Sequence, residues 1–381
     1  MRSKKGKILI ISKNFPPSLG GMEHLAWKLY QQLEPHYQCD IIAPDGAEQF
    51  VNTANTNIFT CPLKPLPYFL FTAYRKALKL ASNTQYDLCI GCSGIVAPIT
   101  NALAKQKGIP SVILVHGLDI IAQNFIYQRY FVPRICNSNL IIANSANTAK
   151  LTRKKCTNSN LQVINPGVDA VTDLAPANNQ FRETFKLGNK PILLSVGRII
   201  PRKGLAEFIR YCLPEITKNH PNVIYCIAGE APRHAINKTG DALSAIHESI
   251  ASTGLHDNIL ITGKLSDELL HSAYSESSLF IFPVLESEND IEGFGMVAIE
   301  AAARGLPTAA FASGGIPDAV SPQSGVLVPT GNYQQLSQFV VNYIDSQYKE
   351  ITPDSCQQHA SKYSWENYGR KFRHEIDEII V

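Results

Sequence analysis

The chain has 381 residues, 45% of them hydrophobic and 18% charged, with a net charge of +3 at neutral pH. That length suits two domains of ordinary size, and the composition excludes a disordered chain. No run of about 18 apolar residues occurs, and the apolar run in the opening MRSKKGKILIISKNF is too short for a secretory signal, so the chain reads as cytoplasmic and not membrane-spanning. The charge is uneven. Residues 1–170 carry 18 Lys/Arg against 8 Asp/Glu, a net of +10, and the remainder is −7. A solvated surface accounts for this, and so does a basic half facing an anionic partner. The nine cysteines are scattered; Cys89 and Cys92 form one CxxC with no second pair. This points to packing thiols in a reducing compartment and away from metal or redox use.

Short β-rich runs alternate with helical stretches along the chain. Strands are predicted at 7–12, 39–43, 88–91, 111–115 and 140–143. They resume at 192–196, 223–228, 259–262, 279–282, 308–310 and 325–328. The alternation predicts an α/β chain of two doubly wound parallel sheets. DAVTDLAPANNQ, residues 169–180, reads as the linker between a first domain, 1–175, and a second, 185–365. The last segment, 366–381, continues an amphipathic helix that begins near Trp365 and is expected to return to the first domain. Ligands of open parallel sheets bind beyond the carboxyl ends of the strands. The cleft between two such domains is therefore the expected site.

Several motifs follow strands. In NFPPSLGGMEH, residues 14–24, Gly20 and Gly21 let backbone N–H groups approach a ligand at a helix start; a plain tight turn is the alternative. In LVHGLD, His116 stands just past a buried strand and is either a hydroxyl or phosphate partner or a structural histidine. In SVGRIIPRKGLAEFI, Arg198 and Lys203 flank a strand-to-helix turn, a good clamp for a diphosphate. FASGGIPDAV repeats the glycine pair after a strand, at Gly314 and Gly315.

EGFGMVAIEAAARGLP holds Glu292 and Glu300, with seven residues between them. A helix is expected from Phe294 to Ala303, stopped by Gly305 and Pro307, with Glu292 at its N-terminus. The rise of an α-helix then puts the two carboxylates about 12 Å apart along the axis. That is too far to share a proton or a metal, and suits the two ends of one long polar ligand. GFGMVA fits a dinucleotide fingerprint, but its strand ends about ten residues too early for that use. Asp290 and Glu292 lack the further oxygen ligands of a metal site.

Together these motifs, with NPGVD at 165–169, resemble the family 4 (group 1) retaining glycosyltransferases of GT-B fold, over nearly the whole chain. The stretch from Asp290 to Val320 is similar to enzymes that mannosylate phosphoinositol lipids and to lipopolysaccharide or exopolysaccharide glycosyltransferases. The resemblance implies two Rossmann-like domains facing across a cleft, no metal, no other cofactor and no nucleic-acid partner. It implies that Arg198 and Lys203 hold the donor diphosphate, Glu292 the donor sugar and Glu300 the ribose. Backbone amides of Gly293, Phe294, Gly295 and Met296 would touch sugar and phosphate. His116 would contact the sugar, Gly20 and Gly21 would face phosphate and acceptor, and the base would rest near Gly263 and Lys264. Asp318 stands where many relatives have Glu and is left out of the site.

The acceptor should be read by the first domain. LKPLPYFLFTAYRKALKL, residues 63–80, mixes Phe69, Phe71 and Tyr74 with Arg75, Lys76 and Lys79; NFIYQRYFVPR, residues 124–134, repeats the pattern. Such segments suit peripheral docking on an anionic inner leaflet and a lipid-linked or polysaccharide-precursor acceptor; a core helix with a solvated basic edge is the alternative. The expected function is transfer of a hexose from a nucleoside-diphosphate sugar, GDP-mannose or a UDP-sugar. The competing readings are a non-catalytic sugar-nucleotide-binding protein and a soluble synthase or epimerase of the same fold.

Overall fold

The computed structural model describes residues 4–18, 20–157, 160–169, 179–231 and 242–380. Most of the expected linker, residues 170–178, lies outside the described residues. The chain divides into two compact units, Met1–Gly167 with Trp365–Val381, and Val168–Ser364.

The first unit is built on β1 (Lys7–Ile11), β2 (Gln38–Pro44), β3 (Asn57–Cys61), β4 (Leu88–Gly91), β5 (Ser111–Val115), β6 (Leu140–Ala143) and β7 (Leu161–Val163). They pair in parallel in the order β3-β2-β1-β4-β5-β6-β7. The central strands carry continuous apolar runs, as ILII of β1 does, because helices cover both faces of the sheet. β3 and β7 are the two edges, and neither is predicted from the sequence. β3 is mostly half-buried and β7 has three residues with one buried, so neither carries a strong apolar pattern.

The second unit holds β8 (Ile192–Val196), β9 (Ile224–Ala228), β10 (Ile259–Gly263), β11 (Leu279–Phe282), β12 (Thr308–Phe311) and β13 (Gly325–Val328). Their order is β10-β9-β8-β11-β12-β13, again all parallel. Both sheets are the expected doubly wound type, and each reverses direction once, at β1/β4 and at β8/β11.

The terminal helix Trp365–Asp377 belongs to the first unit. Trp365, Tyr368, Phe372 and Ile376 form its buried stripe, and it packs on the helix Gly21–Leu33. Arg373 Nη1 donates to the Gln32 carbonyl at 2.9 Å. Lys28 lies over the Trp365 ring, 5.8 Å from its centroid.

Two expectations change. The helix of the Glu292 motif spans Met296–Ala303, starting two residues later than predicted. Gly295 precedes it with φ of 100°, a left-handed turn that the helical ladder cannot include. Glu292 therefore stands in the loop before the helix, not on its first turn. The cysteines differ as well. Cys136 and Cys156 are joined as a disulfide, with Cα atoms 4.9 Å apart. The other seven, Cys89 and Cys92 among them, are free and buried. Burial pushes the Cys92 thiol up to about 12, as befits a packing residue.

Both tryptophans, Trp27 and Trp365, lie in the first unit. Phe372 is fully buried on the terminal helix. Phe372→Ala should cost about 3–5 kcal/mol. In urea titrations the tryptophan-monitored transition should move to lower denaturant, because that signal reports the first unit alone.

Candidate active site

The β8/β11 reversal opens a crevice at the carboxyl end of the second sheet. β8 runs directly into Gly197 and Arg198, and the 3-10 turn Pro201–Lys203 brings Arg202 and Lys203 back over the strand ends. β11 runs into Pro283 and then the loop that carries Glu292. Ser195, Gly197, Arg198, Lys203, Phe282 and Pro283 line a small pocket here. The cation turn is stitched to the β11 exit, since the Leu285 N–H donates to the Arg202 carbonyl at 2.8 Å.

The Glu292 loop is held from behind by the second glycine pair. The Gly315 N–H donates to the Glu292 carbonyl at 2.8 Å. A Cβ on Gly315 would lie 2.1 Å from the Gly293 carbonyl oxygen, so only glycine permits this approach. The Phe294 ring is buried and packs on Tyr363, with centroids 5.8 Å apart. Its backbone, not its side chain, is what the loop presents.

Lys203 and Glu292 meet as an ion pair, Nζ to Oε2 at 2.7 Å. Arg202, missing from the sequence-derived set, joins them, with Nη1 2.6 Å from the same oxygen. Its Nε also faces Asp290 Oδ2 at 2.9 Å. The acidic pair is thus committed to cations. Burial works against ionisation of Glu292, but Lys203 and then Arg202 outweigh it and hold the carboxyl at about 2. Burial pulls the Lys203 ammonium below its usual range, Glu292 pulls it back, and Arg202 and Arg198 push it down again. The Lys203 ammonium also lies 4.6 Å from the centroid of the Phe282 ring. Arg198 is exposed and has no ion pair among the described residues.

Glu300 lies on the helix behind this cluster. Tyr274 Oη donates to its Oε2 at 3.1 Å, and Arg304 stacks on Tyr274, 5.0 Å from the ring centroid. Burial raises the Glu300 carboxyl; Arg304 and the Tyr274 hydrogen bond partly offset this. Gly263 closes β10 and accepts the Gly229 N–H at 2.9 Å, and Lys264 beside it is exposed. Arg198, Lys203, Glu292 to Met296, Glu300, Gly263 and Lys264 all belong to the second unit.

Gly20, Gly21 and His116 belong to the first unit. Gly20 precedes the helix Gly21–Leu33, and its carbonyl accepts the His24 N–H at 3.0 Å. The Glu23 carboxylate lies against Gly20 and accepts from Asn14 Nδ2 at 2.7 Å. An acidic group there complements the helix N-terminus. His116 is buried, with Nε2 2.8 Å from the Cys92 carbonyl. A carbonyl partner makes Nε2 the protonated nitrogen, which leaves Nδ1 as an acceptor. Asp119, also missed from sequence, pins the loop by accepting the backbone N–H groups of His116 at 2.9 Å and Gly94 at 3.0 Å.

Two family models meet this architecture. "Glycosyltransferase Family 4" matches residues 19–171, and "Glycosyl transferases group 1" matches residues 177–363. Between them they span nearly the whole chain, which belongs to the group 1, family 4 glycosyltransferases.

Among its relatives is a GDP-mannose-dependent alpha-(1-6)-phosphatidylinositol monomannoside mannosyltransferase of Mycolicibacterium smegmatis, 25% identical over 82% of each chain. A GDP-mannose-dependent monoacylated alpha-(1-6)-phosphatidylinositol monomannoside mannosyltransferase of Corynebacterium glutamicum is 22% identical over 97% of each chain. Among solved structures, Anabaena HepE in complex with UDP superposes with a TM-score of 0.79 at 19% identity, over 98% of this chain and 100% of that one. The fold is GT-B.

The Glu292 pairing carries a pH signature. The folded carboxyl lies below its ordinary 4.5, at about 2, so its stabilisation is present above the ordinary range and is lost as pH falls towards 2. Glu292→Gln should lower stability by about 3 kcal/mol at pH 7. The gap to the parent protein should narrow steadily in urea titrations between pH 4.5 and the lowest pH at which both remain folded.

Proposed function

We propose that the chain is a retaining, metal-independent hexosyltransferase. It moves a hexose from a nucleoside-diphosphate sugar to a lipid-linked or polysaccharide-precursor acceptor at a membrane surface. The observation that carries this reading is the Lys203–Glu292 pair, 2.7 Å apart at the sheet's reversal point, with exposed Arg198 on the same pocket. A lysine and an arginine there can meet a diphosphate. An ionised carboxylate beside them accepts hydrogen bonds only, which suits sugar hydroxyls.

In the reaction, negative charge builds on the leaving diphosphate while the sugar becomes oxocarbenium-like. Lys203 and Arg198 would stabilise that charge from fixed positions. With two cations in place, and with Asp290 and Glu292 engaged by Arg202 and Lys203, the leaving group has protein partners that do not call for a metal. Retention would follow front-face attack, the leaving phosphate helping to take the acceptor proton. Glu292 is engaged by Lys203 and Arg202, Asp290 by Arg202, and Glu300 by Tyr274, whereas a retaining hydrolase needs two free carboxylates about 5 Å apart across one bond. Glu300 would meet the ribose, and the base would lie by Gly263 and Lys264. His116, Gly20 and Gly21 would serve the sugar and acceptor side.

The donor is GDP-mannose or a UDP-sugar. The named activities of the two mannosyltransferase relatives favour the first, and the UDP complex of the HepE structure keeps the second open. Thermal-shift screening of GDP and UDP, then of their sugars, tests this reading. Stabilisation by one nucleotide series is expected, and none by either would sink it. Lys203→Ala and Glu292→Ala should each abolish most transfer in a product assay. UDP or GDP affinity should also fall with rising pH below the ordinary lysine range, because the depressed Lys203 loses its charge early. Calorimetric titration from pH 7 to 10 reads this, and Lys203→Ala should flatten the profile.

The chain would dock on the cytoplasmic leaflet through its first unit. On the helix Leu66–Asn83, Tyr68, Phe71 and Tyr74 are exposed, with Arg75 and Lys79 exposed beside them. Phe69 is instead fully buried, and Lys76 is bonded to the Thr60 carbonyl, so the docking face is narrower than the sequence suggests. Residues 124–134 add Phe125 at 79% exposure and Ile126 at 67%. Among the described residues no helix is long and apolar enough to cross a membrane. Co-sedimentation should show binding to anionic vesicles and little to neutral ones, and Phe125→Ser with Phe71→Ser should weaken it several-fold.

A further inference from the structure

Arg202 is the member of the charge cluster that the proposed reaction leaves without a task. Its side chain is 10% exposed, so this is not a solvated surface charge. Two cations converge on one oxygen of Glu292, its Oε2, while Oε1 takes no hydrogen bond from the described residues. The guanidinium reaches a second carboxylate, Asp290, from its Nε edge. A planar fork can span two carboxylates in this way, and a lysine cannot.

We infer that Arg202 is a positioning residue for recognition of the donor sugar. It shares Glu292 Oε2 with Lys203 and ties that oxygen to the Asp290 side of the loop. Glu292 Oε1 is thereby left for a sugar hydroxyl. An ammonium has three hydrogens, and a Lys203 that need not neutralise Glu292 alone keeps donors for the diphosphate. Without Arg202, Glu292 and Lys203 neutralise one another more fully. The carboxylate turns from the sugar, and its proton affinity rises because one of its two cations is gone. The inference rests on the donor-site reading above and adds a residue which that reading does not need.

The test compares affinities for UDP-glucose and GDP-mannose with those for UDP and GDP. It uses calorimetry on the full chain, the parent protein and Arg202→Gln, with folding checked by circular dichroism. The preference for the sugar-bearing form should drop about tenfold in Arg202→Gln, the loss expected when a hydrogen bond to a charged group is misplaced. Binding of the sugar nucleotide should be flat from pH 7 to 5 in the parent protein. In Arg202→Gln the loss of binding on acidification should set in at a higher pH than in the parent protein, because one of the two cations that hold the Glu292 carboxyl down is gone. A folded Arg202→Gln with the parent's preference and the parent's pH profile overturns the inference. If Arg202→Gln does not fold, Arg202→Lys decides: it keeps the charge but not the span, and an unchanged preference overturns the inference while a several-fold drop supports it. A parent protein that binds no nucleotide, or binds both forms equally, overturns the donor-site reading itself, and the inference with it.

Discussion

Everything at the candidate site hangs on one carboxylate oxygen. Glu292 Oε2 is the meeting point of Lys203 and Arg202, which lie about ninety residues away in sequence. Two positive groups held that close repel each other, and they are tolerable in a buried place only because the carboxylate between them is ionised. The sheet order brings this about. β8 and β11 are neighbours although β9 and β10 intervene in sequence, so the turn after one strand and the loop after the other share a single crevice. Arg198, exposed and unpaired among the described residues, then leaves the crevice with cationic character to offer.

The Glu292 loop has no regular structure of its own, so its shape must be imposed by neighbours. Gly315 presses on it from one side, and the ring of Tyr363 covers Phe294 from another. Tyr363 is itself fixed: its hydroxyl donates to the Asp318 carbonyl at 2.6 Å, and His359 packs on it with ring centroids 5.2 Å apart. His359 bonds Ser321 at 2.9 Å through Nδ1 and meets the Ala319 carbonyl at 3.0 Å through Nε2. A largely buried polar chain of this kind resists movement, because each lost bond would leave a partner poorly solvated. It also gives Asp318 a place, since its backbone carbonyl, whatever the side chain, anchors Tyr363.

The sequence carried the fold well because buried parallel strands are written as unbroken apolar runs. It failed at β3 and β7, where an edge position relaxes that demand. At the site, residues set beside glycines were legible: Arg198 follows Gly197 at the end of β8, Lys203 precedes Gly204, and Glu292 precedes Gly293. Arg202 was not, although it is adjacent to Lys203, because a second cation in a turn looks like surface charge until its partner is known. Tyr274 left no trace at all; nothing in its spacing points to Glu300, 26 residues on. The disulfide was equally hidden, as Cys136 and Cys156 meet only through tertiary folding. On the helix Leu66–Asn83 only part of the aromatic and basic set is exposed, because composition does not say which side of a helix each residue takes.

The first unit is discontinuous: its sheet is complete by Val163, yet the helix that seals the helix Gly21–Leu33 begins at Trp365. The second unit is one unbroken stretch between them. During synthesis the order of completion is therefore the reverse of the order of emergence. The unit made first must wait, with the apolar surface meant for Trp365 and Phe372 uncovered, until nearly two hundred further residues have been added. The unit made second can close without waiting for anything downstream. A chain cut short near its end would lose the first unit's seal and keep the second intact.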